Sequence, residues 1–227
     1  DIRNAVEAAH KATGWSRITG HARAQVLYFL AENLAARAAE FAARCGARET
    51  EAAIARTFYW AAWADKLDGR VHATAQEHLT LALNEPWGVM GVIAPDESPL
   101  LGFVSTVLPA LALGNRVVAV PSTTDPIPAL DLVQVFETSD LPDGVVNLVS
   151  GHQPELAATL AAHDDVAALW CFADAATCAA AETASTGNLK FVWAESRLRD
   201  WLGPEGQAAA FREQAVQVKT VWLPYGA

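Results

Sequence analysis

From residue 79 onward, short continuous runs of apolar residues alternate with stretches of helical periodicity. No other feature restricts the fold of this chain as strongly. After "LTLAL" (79–83) come "WGVMGVIA", "RVVAVP", "GVVNLVS", "VAALWCFA" and "NLKFVWAE", separated by helical segments at 98–112, 126–138, 154–162 and 175–184. A strand that is apolar along its whole length has both faces buried, which marks a parallel sheet with helices on either side. Parallel neighbours need crossovers, and these are right-handed. Residues 84–195 therefore predict an α/β fold, an open Rossmann-type parallel sheet of about five strands.

Helices precede the sheet. "DIRNAVEAAHKA" is amphipathic, and its acidic residues set it apart from a secretory leader. It begins without Met, which suggests a piece of something longer. Residues 21–66 predict a helical hairpin. Leu27, Leu30, Leu34, Ala38, Phe41 and Cys45 share one face, and Gly46 supplies the positive-φ residue that ends the first helix. Ile54, Phe58, Ala61 and Ala62 are expected to point inward from the second, with "DKLDG" closing it. The aromatic run "FYWAAW" (58–63) has no basic residue between its rings, so it suits core packing better than base stacking.

The end of the chain breaks the rhythm. Residues 1–200 form the expected Rossmann domain with its hairpin, and 201–227 a turn, a short helix and a strand at 214–224. That strand has no evident place in the parallel sheet. Such a strand often pairs with another domain or chain, so Val216, Val218, Val221, Trp222 and Leu223 are the expected interface residues.

Composition narrows the partners. Lys+Arg 16 against Asp+Glu 26 leaves a net charge of −10, unsuited to nucleic acid or an anionic membrane. No apolar run approaches the ~18 residues of a membrane span. The three cysteines, Cys45, Cys171 and Cys178, have no metal-ligand spacing and suit a reducing cytoplasm. The histidines lack any metalloenzyme spacing, so no metal is expected.

Several separated segments, in order, carry a resemblance. "EPWGVMGVIAP", "LPALALGNRVVAVPS" and "DLPDGVVNLVSG" resemble the nucleotide-binding domain of the aldehyde dehydrogenase superfamily. "GWSRITGHARAQVLYFLAENLAARAAEF" is similar to its N-terminal helices, and "VQVKTVWLPYG" to its C-terminal oligomerisation strand. The resemblance implies an NAD-dependent fold, yet the family's site residues are largely replaced. Where the family has Pro-Trp-Asn, with an oxyanion-binding Asn, this chain has Pro95, Asp96 and Glu97. A carboxylate at Glu97 would repel a developing oxyanion. The Lys-Pro-Ser-Glu that holds the adenosine ribose is Val120, Pro121, Ser122 and Thr123. The Gly-Ser-x-x-x-Gly that opens a helix N-terminus to the pyrophosphate is represented by Phe172, Ala173 and Thr177, and Phe172 would fill phosphate space. Glu195 matches the general-base glutamate, but Arg197-Leu198 replaces the Gly-Gly that follows it. After Glu195 only 32 residues remain and none is cysteine, so the catalytic subdomain with its nucleophile is expected to be missing.

The resemblance thus implies a degenerate domain with vestigial positions at Glu97, Glu195, Val120, Thr123, Phe172, Ala173 and Thr177, and no cofactor of its own. Such copies occur at the C-terminus of family-16 aldehyde dehydrogenases and of the large bifunctional proline-utilisation flavoenzymes. The expected partner is an aldehyde dehydrogenase catalytic domain with NAD, in the same or a neighbouring chain, within a homodimer. In that setting Asp96 and Glu97 serve helix-start electrostatics, Ser98 is the N-cap and Pro99 the first helical residue. Cys178 at a helix start and His152 in "SGHQPE" suit packing better than catalysis. A minimal NAD-binding oxidoreductase would need a glycine-rich loop after a strand, and none is present. A ligand-sensing module using the old crevice is the third reading.

Overall fold

The computed structural model describes residues 1–75 and 77–225. The helical region comprises α1 (Ile2–Lys11), α2 (Gly14–Arg17), α3 (Gly20–Ala36), α4 (Ala38–Cys45) and α5 (Ala47–Trp63). The expected hairpin is thus three helices. The chain leaves helical geometry at Arg37 (φ −100°, ψ 13°), and Gly46 (φ +81°) makes the turn into α5.

The inward face of α5 is the predicted one only in part: Ala61 is buried and Ile54 packs against the core as expected, but Phe58 does not. Thr50, Ala53, Thr57, Trp60 and Ala61 are buried, whereas Phe58 is turned outward against Tyr28, ring centroids 6.1 Å apart. The threonines are accommodated because Thr50 Oγ1 donates to Gly46 O at 3.0 Å and Thr57 Oγ1 to Ala53 O at 2.8 Å. With their hydroxyls satisfied, their burial costs little and the helix can present its small residues to a neighbour.

Next come two strands, β1 (Arg70–His72) and β2 (His78–Pro86). The Rossmann unit follows as β3 (Val89–Ile93), α6 (Leu101–Ala112), β4 (Arg116–Val120), α7 (Ile127–Glu137), β5 (Val146–Leu148), α8 (Gln153–Ala162), β6 (Ala168–Phe172), α9 (Ala175–Ala184) and β7 (Phe191–Glu195). Its five strands are parallel in the order β5-β4-β3-β6-β7. α6 is buried on every side, between the sheet and α5. α1 and α8 pack on the opposite sheet face, where Val6 and Leu160 join Ile93 and Val118.

α6 starts at Leu101, later than expected, and Ser98 does not cap it: Ser98 has φ +53° and lies outside the helix. The first turn is served from α5, where Glu49 Oε1 accepts the N–H of Leu100 at 2.9 Å and of Leu101 at 3.0 Å. The chain turns tightly here, because a Cβ on Gly102 would stand 2.6 Å from Pro95 Cγ.

The tail contains a 3₁₀ turn (Pro204–Gln207), α10 (Ala210–Gln214) and β8 (Val216–Pro224). β8 does have a place in its own chain. It pairs antiparallel along the whole of β2, from His78↔Pro224 to Pro86↔Val216, in a second sheet of order β1-β2-β8. The partner is the "LTLAL" strand, whose pairing its own residues do not announce. Gly226 and Ala227, the last residues of the predicted tail, lie outside the described residues.

Candidate functional site

In an open α/β sheet, ligands bind beyond the strand C-termini where the strand order reverses. Here that point lies between β3 and β6, and a crevice of about 270 Å³ opens there. Pro95, Asp96 and Glu97 border it after β3, Ala173 and Asp174 after β6, and Glu195 to Leu198 after β7. The crevice survives, but the chain's own groups take up the donors around it.

Asp96 does not serve a helix start. Its Oδ1 accepts the Ser122 hydroxyl at 2.7 Å and the Thr123 N–H at 2.7 Å, so one carboxylate fastens the β3 turn to the β4 turn. Gln153 closes the same gap from beneath, donating to Ala94 O at 2.8 Å and Pro121 O at 3.0 Å. Thr123 is therefore held by its backbone, and Val120 is buried in β4. Glu97 points to solvent at the crevice edge, with no hydrogen bond of its own side chain to the helix α6 it was expected to serve.

The start of α9 is closed in the same way. Asp174 caps it, accepting the N–H of Ala176 at 2.9 Å and of Thr177 at 3.0 Å, and the Thr177 hydroxyl at 2.8 Å. The Thr177 backbone bond, then its hydroxyl, hold the Asp174 carboxyl below the usual carboxylate range. A helix N-terminus attracts phosphate because its N–H groups are unpaired and its dipole is positive. Both advantages are consumed by a fixed negative charge. The sequence signals this cap in Asp174, an N-cap residue two positions after a strand.

Phe172 borders the crevice, and its ring is directed into an aromatic cluster, 5.1 Å from Trp193, 5.7 Å from Trp201 and 5.9 Å from Phe211. In the middle of that cluster lies the buried guanidinium of Arg199, with Cζ 5.1 Å from the Phe211 ring centroid and 5.6 Å from that of Trp201. Arg199 Nη1 donates to Glu205 O at 2.7 Å, and Nη2 donates to the Glu195 carboxylate. Arg197 pairs with the other Glu195 oxygen and with Glu205 at 3.0 Å. Glu195 is thus held by two arginines.

Groups from α5 and from the ends of the sheet strands clamp this tail. Arg56, buried in α5, donates to Trp201 O at 2.9 Å and also to Gly206 O, and burial lowers its pKa to about 10. Asn115 donates to Ala215 O at 2.8 Å, and Trp87 Nε1 to Gln214 O at 2.9 Å. Residues 196–215 are therefore a packed lid over one face of the sheet, fixed at several points.

These residues do not fit NAD. The donors at the α9 start and at the β4 turn are paired to carboxylates, and a pyrophosphate placed there would meet Asp96 and Asp174 at close range. Among the described residues no three His, Cys, Asp or Glu side chains are grouped as metal ligands, and no helix is long and apolar enough to cross a membrane.

The aldehyde dehydrogenase family model matches residues 1–196 and stops where the lid begins. The chain belongs to the aldehyde dehydrogenase family. It is 34% identical to retinaldehyde dehydrogenase 3 of Rattus norvegicus over 73% of this chain and 35% of that one. It is 31% identical to an aldehyde dehydrogenase of Agaricus bisporus over 100% of this chain and 47% of that one. Among solved structures, PnpE of Pseudomonas sp. WBC-3 superposes with a TM-score of 0.81 at 29% identity, covering 86% of this chain and 43% of PnpE. PnpE has also been crystallised with nicotinamide adenine dinucleotide. The chain spans less than half the length of these relatives.

The predicted interface residues are divided between two faces of the second sheet. Directly paired residues share a face and neighbours along a strand alternate. Val216, Val218 and Trp222 lie on one face with Thr80 and Ala82, and Val216 is buried there. Val221 and Leu223 lie on the other, opposite Leu81 and Leu79. Val71 and Leu83 complete that second face as an aliphatic surface, with Val71 69% and Leu223 47% exposed.

Proposed function

We propose that this chain is a non-catalytic aldehyde-dehydrogenase-like module that supports the assembly of an NAD-dependent aldehyde dehydrogenase. The observation that carries the reading is the state of Glu195. A general base must reach a proton on a nucleophile or water. This carboxylate, in the crevice wall, is bound by Arg199 and Arg197 from a segment that Arg56 pins in place. The capped α9 start and the carboxylate at the β4 turn support the same conclusion for the cofactor.

An assembly role is supported by the second sheet. Val71, Leu79, Leu81, Leu83, Val221 and Leu223 form an aliphatic face that a monomer leaves in water, and contiguous exposed apolar surface of this kind marks interaction sites. The partner in this reading is an aldehyde dehydrogenase catalytic domain, of the same or a neighbouring chain, within a cytoplasmic homodimer. That domain binds NAD and oxidises an aldehyde to the acid. In this reading the chain is the counterpart of the extra C-terminal domain of family-16 aldehyde dehydrogenases.

The direct test is an activity assay of this chain with NAD and a panel of aliphatic and aromatic aldehydes. The expected result is no protein-dependent NADH. Turnover that scales with protein concentration and disappears in Glu195→Gln would overturn the proposal.

A further inference from the structure

We infer that Cys171 and Cys178 form a redox site, a buried dithiol that peroxide closes into an intrachain disulfide. The two thiols belong to different elements, β6 and the first turns of α9, yet their Sγ atoms are 3.9 Å apart. Cys178 Sγ also lies 3.5 Å from the carbonyl oxygens of Cys171 and Ala173. All the cysteines of the chain are free, and Cys45 sits apart in α4, where burial pushes its thiol up to about 11.

The geometry is near that of a cross-link. A disulfide has sulfurs ~2.05 Å apart, so the gap to close is about 1.9 Å. The movement falls on the start of α9, whose outer side carries only small residues such as Ala175, Ala176 and Ala179, all exposed. The two thiols are also unequal. Cys171 is fully buried within the sheet, and burial with the neighbouring sulfur raises its pKa. Cys178 retains slight exposure where Cys171 has none. Cys178 is therefore the sulfur that meets the oxidant and Cys171 the resolving thiol.

The chemistry balances with hydrogen peroxide. The Cys178 thiolate attacks one peroxide oxygen, the O–O bond breaks, and the departing hydroxide takes a proton and leaves as water. The resulting sulfenic acid is attacked by Cys171, the S–S bond forms, and its hydroxyl leaves as a second water. The two sulfurs together lose two electrons, and the peroxide gains them. The product would staple β6 to the α9 turn that carries the Asp174 cap, fixing one wall of the crevice.

The test is thiol counting by alkylation in denaturant and intact mass on the full chain after a few equivalents of hydrogen peroxide. The expected result is a fall from three alkylatable thiols to one, with a mass loss of two hydrogens that dithiothreitol reverses. Cys171→Ser should instead accumulate oxygen adducts on Cys178, and Cys45→Ser should cross-link as the parent does. Three unchanged thiols, oxygen adducts in the parent without a cross-link, or a link through Cys45 would each overturn the inference.

Discussion

Arg199 donates to the Glu195 carboxylate from within a cluster of aromatic side chains, so Glu195 is the anchor of a packed lid. A buried guanidinium is tolerated when it is paired, hydrogen-bonded and stacked on ring faces. Removing it would leave Glu195 beside unfilled aromatic walls. Arg199→Met should destabilise the fold by about 3–5 kcal/mol, the usual cost of breaking a buried pair. The exposed Arg197→Ala should cost no more than ~1 kcal/mol. Urea midpoints of the two variants check the contrast. Equal small effects would mean that the lid does not depend on this pair.

Asp174 predicts an acid dependence. Its folded pKa is lowered, so the unfolded state binds its proton first as pH falls. The stability it contributes is present above the ordinary carboxylate range and is lost as pH drops through the depressed folded value. Asp174→Asn keeps a capping oxygen but cannot titrate. Its melting temperature should follow pH less steeply than the parent's between neutral and strongly acidic solution. Parallel curves would remove Asp174 as the linked group.

Much of this architecture is legible in the residues. Short runs such as "RVVAV", rich in Val and alternating with helical stretches, mark doubly buried strands, so the sheet is evident at once. The amphipathic start and the Gly46 turn are equally plain. What escapes sequence reading is long-range. Glu49 serves α6 from another helix, and nothing near Ser98 signals that the local cap is unused. The inward face of α5 combines small residues with Trp60, while Phe58, the ring expected there, faces outward. β8 finds β2 across most of the chain, and the division of its residues between two faces depends on that register. At the crevice the replacements of family residues are visible in the sequence. The carboxylates that satisfy the vacated donors become meaningful only once β3, β4 and β6 are side by side.

Glu49 offers a test of that long-range cap. Glu49→Ala leaves two N–H groups at the start of a buried helix without their acceptor. A loss of about 1–2 kcal/mol is expected, as for other N-terminal caps. Glu49→Gln, which keeps an acceptor oxygen, should recover part of it. Chemical denaturation of both variants gives the answer, and an unchanged midpoint in Glu49→Ala would show that water replaces the carboxylate without cost.

The aliphatic face of the second sheet predicts self-association or docking through Val71 and Leu223. Val71→Lys with Leu223→Lys should leave circular dichroism unchanged while lowering the mass seen by light scattering. A parent that is monomeric at all concentrations, or a double variant that keeps the parent's mass, would rule out self-association through this face.

The most direct test of the central claim is a calorimetric titration of this chain with NAD. The account predicts no saturable heat at millimolar cofactor, because Asp174 and Asp96 already hold the donors that phosphate and ribose would need. Saturable one-to-one binding, abolished by a bulky substitution at Ala173 in the crevice wall, would contradict it and return the chain to the cofactor-binding members of its family.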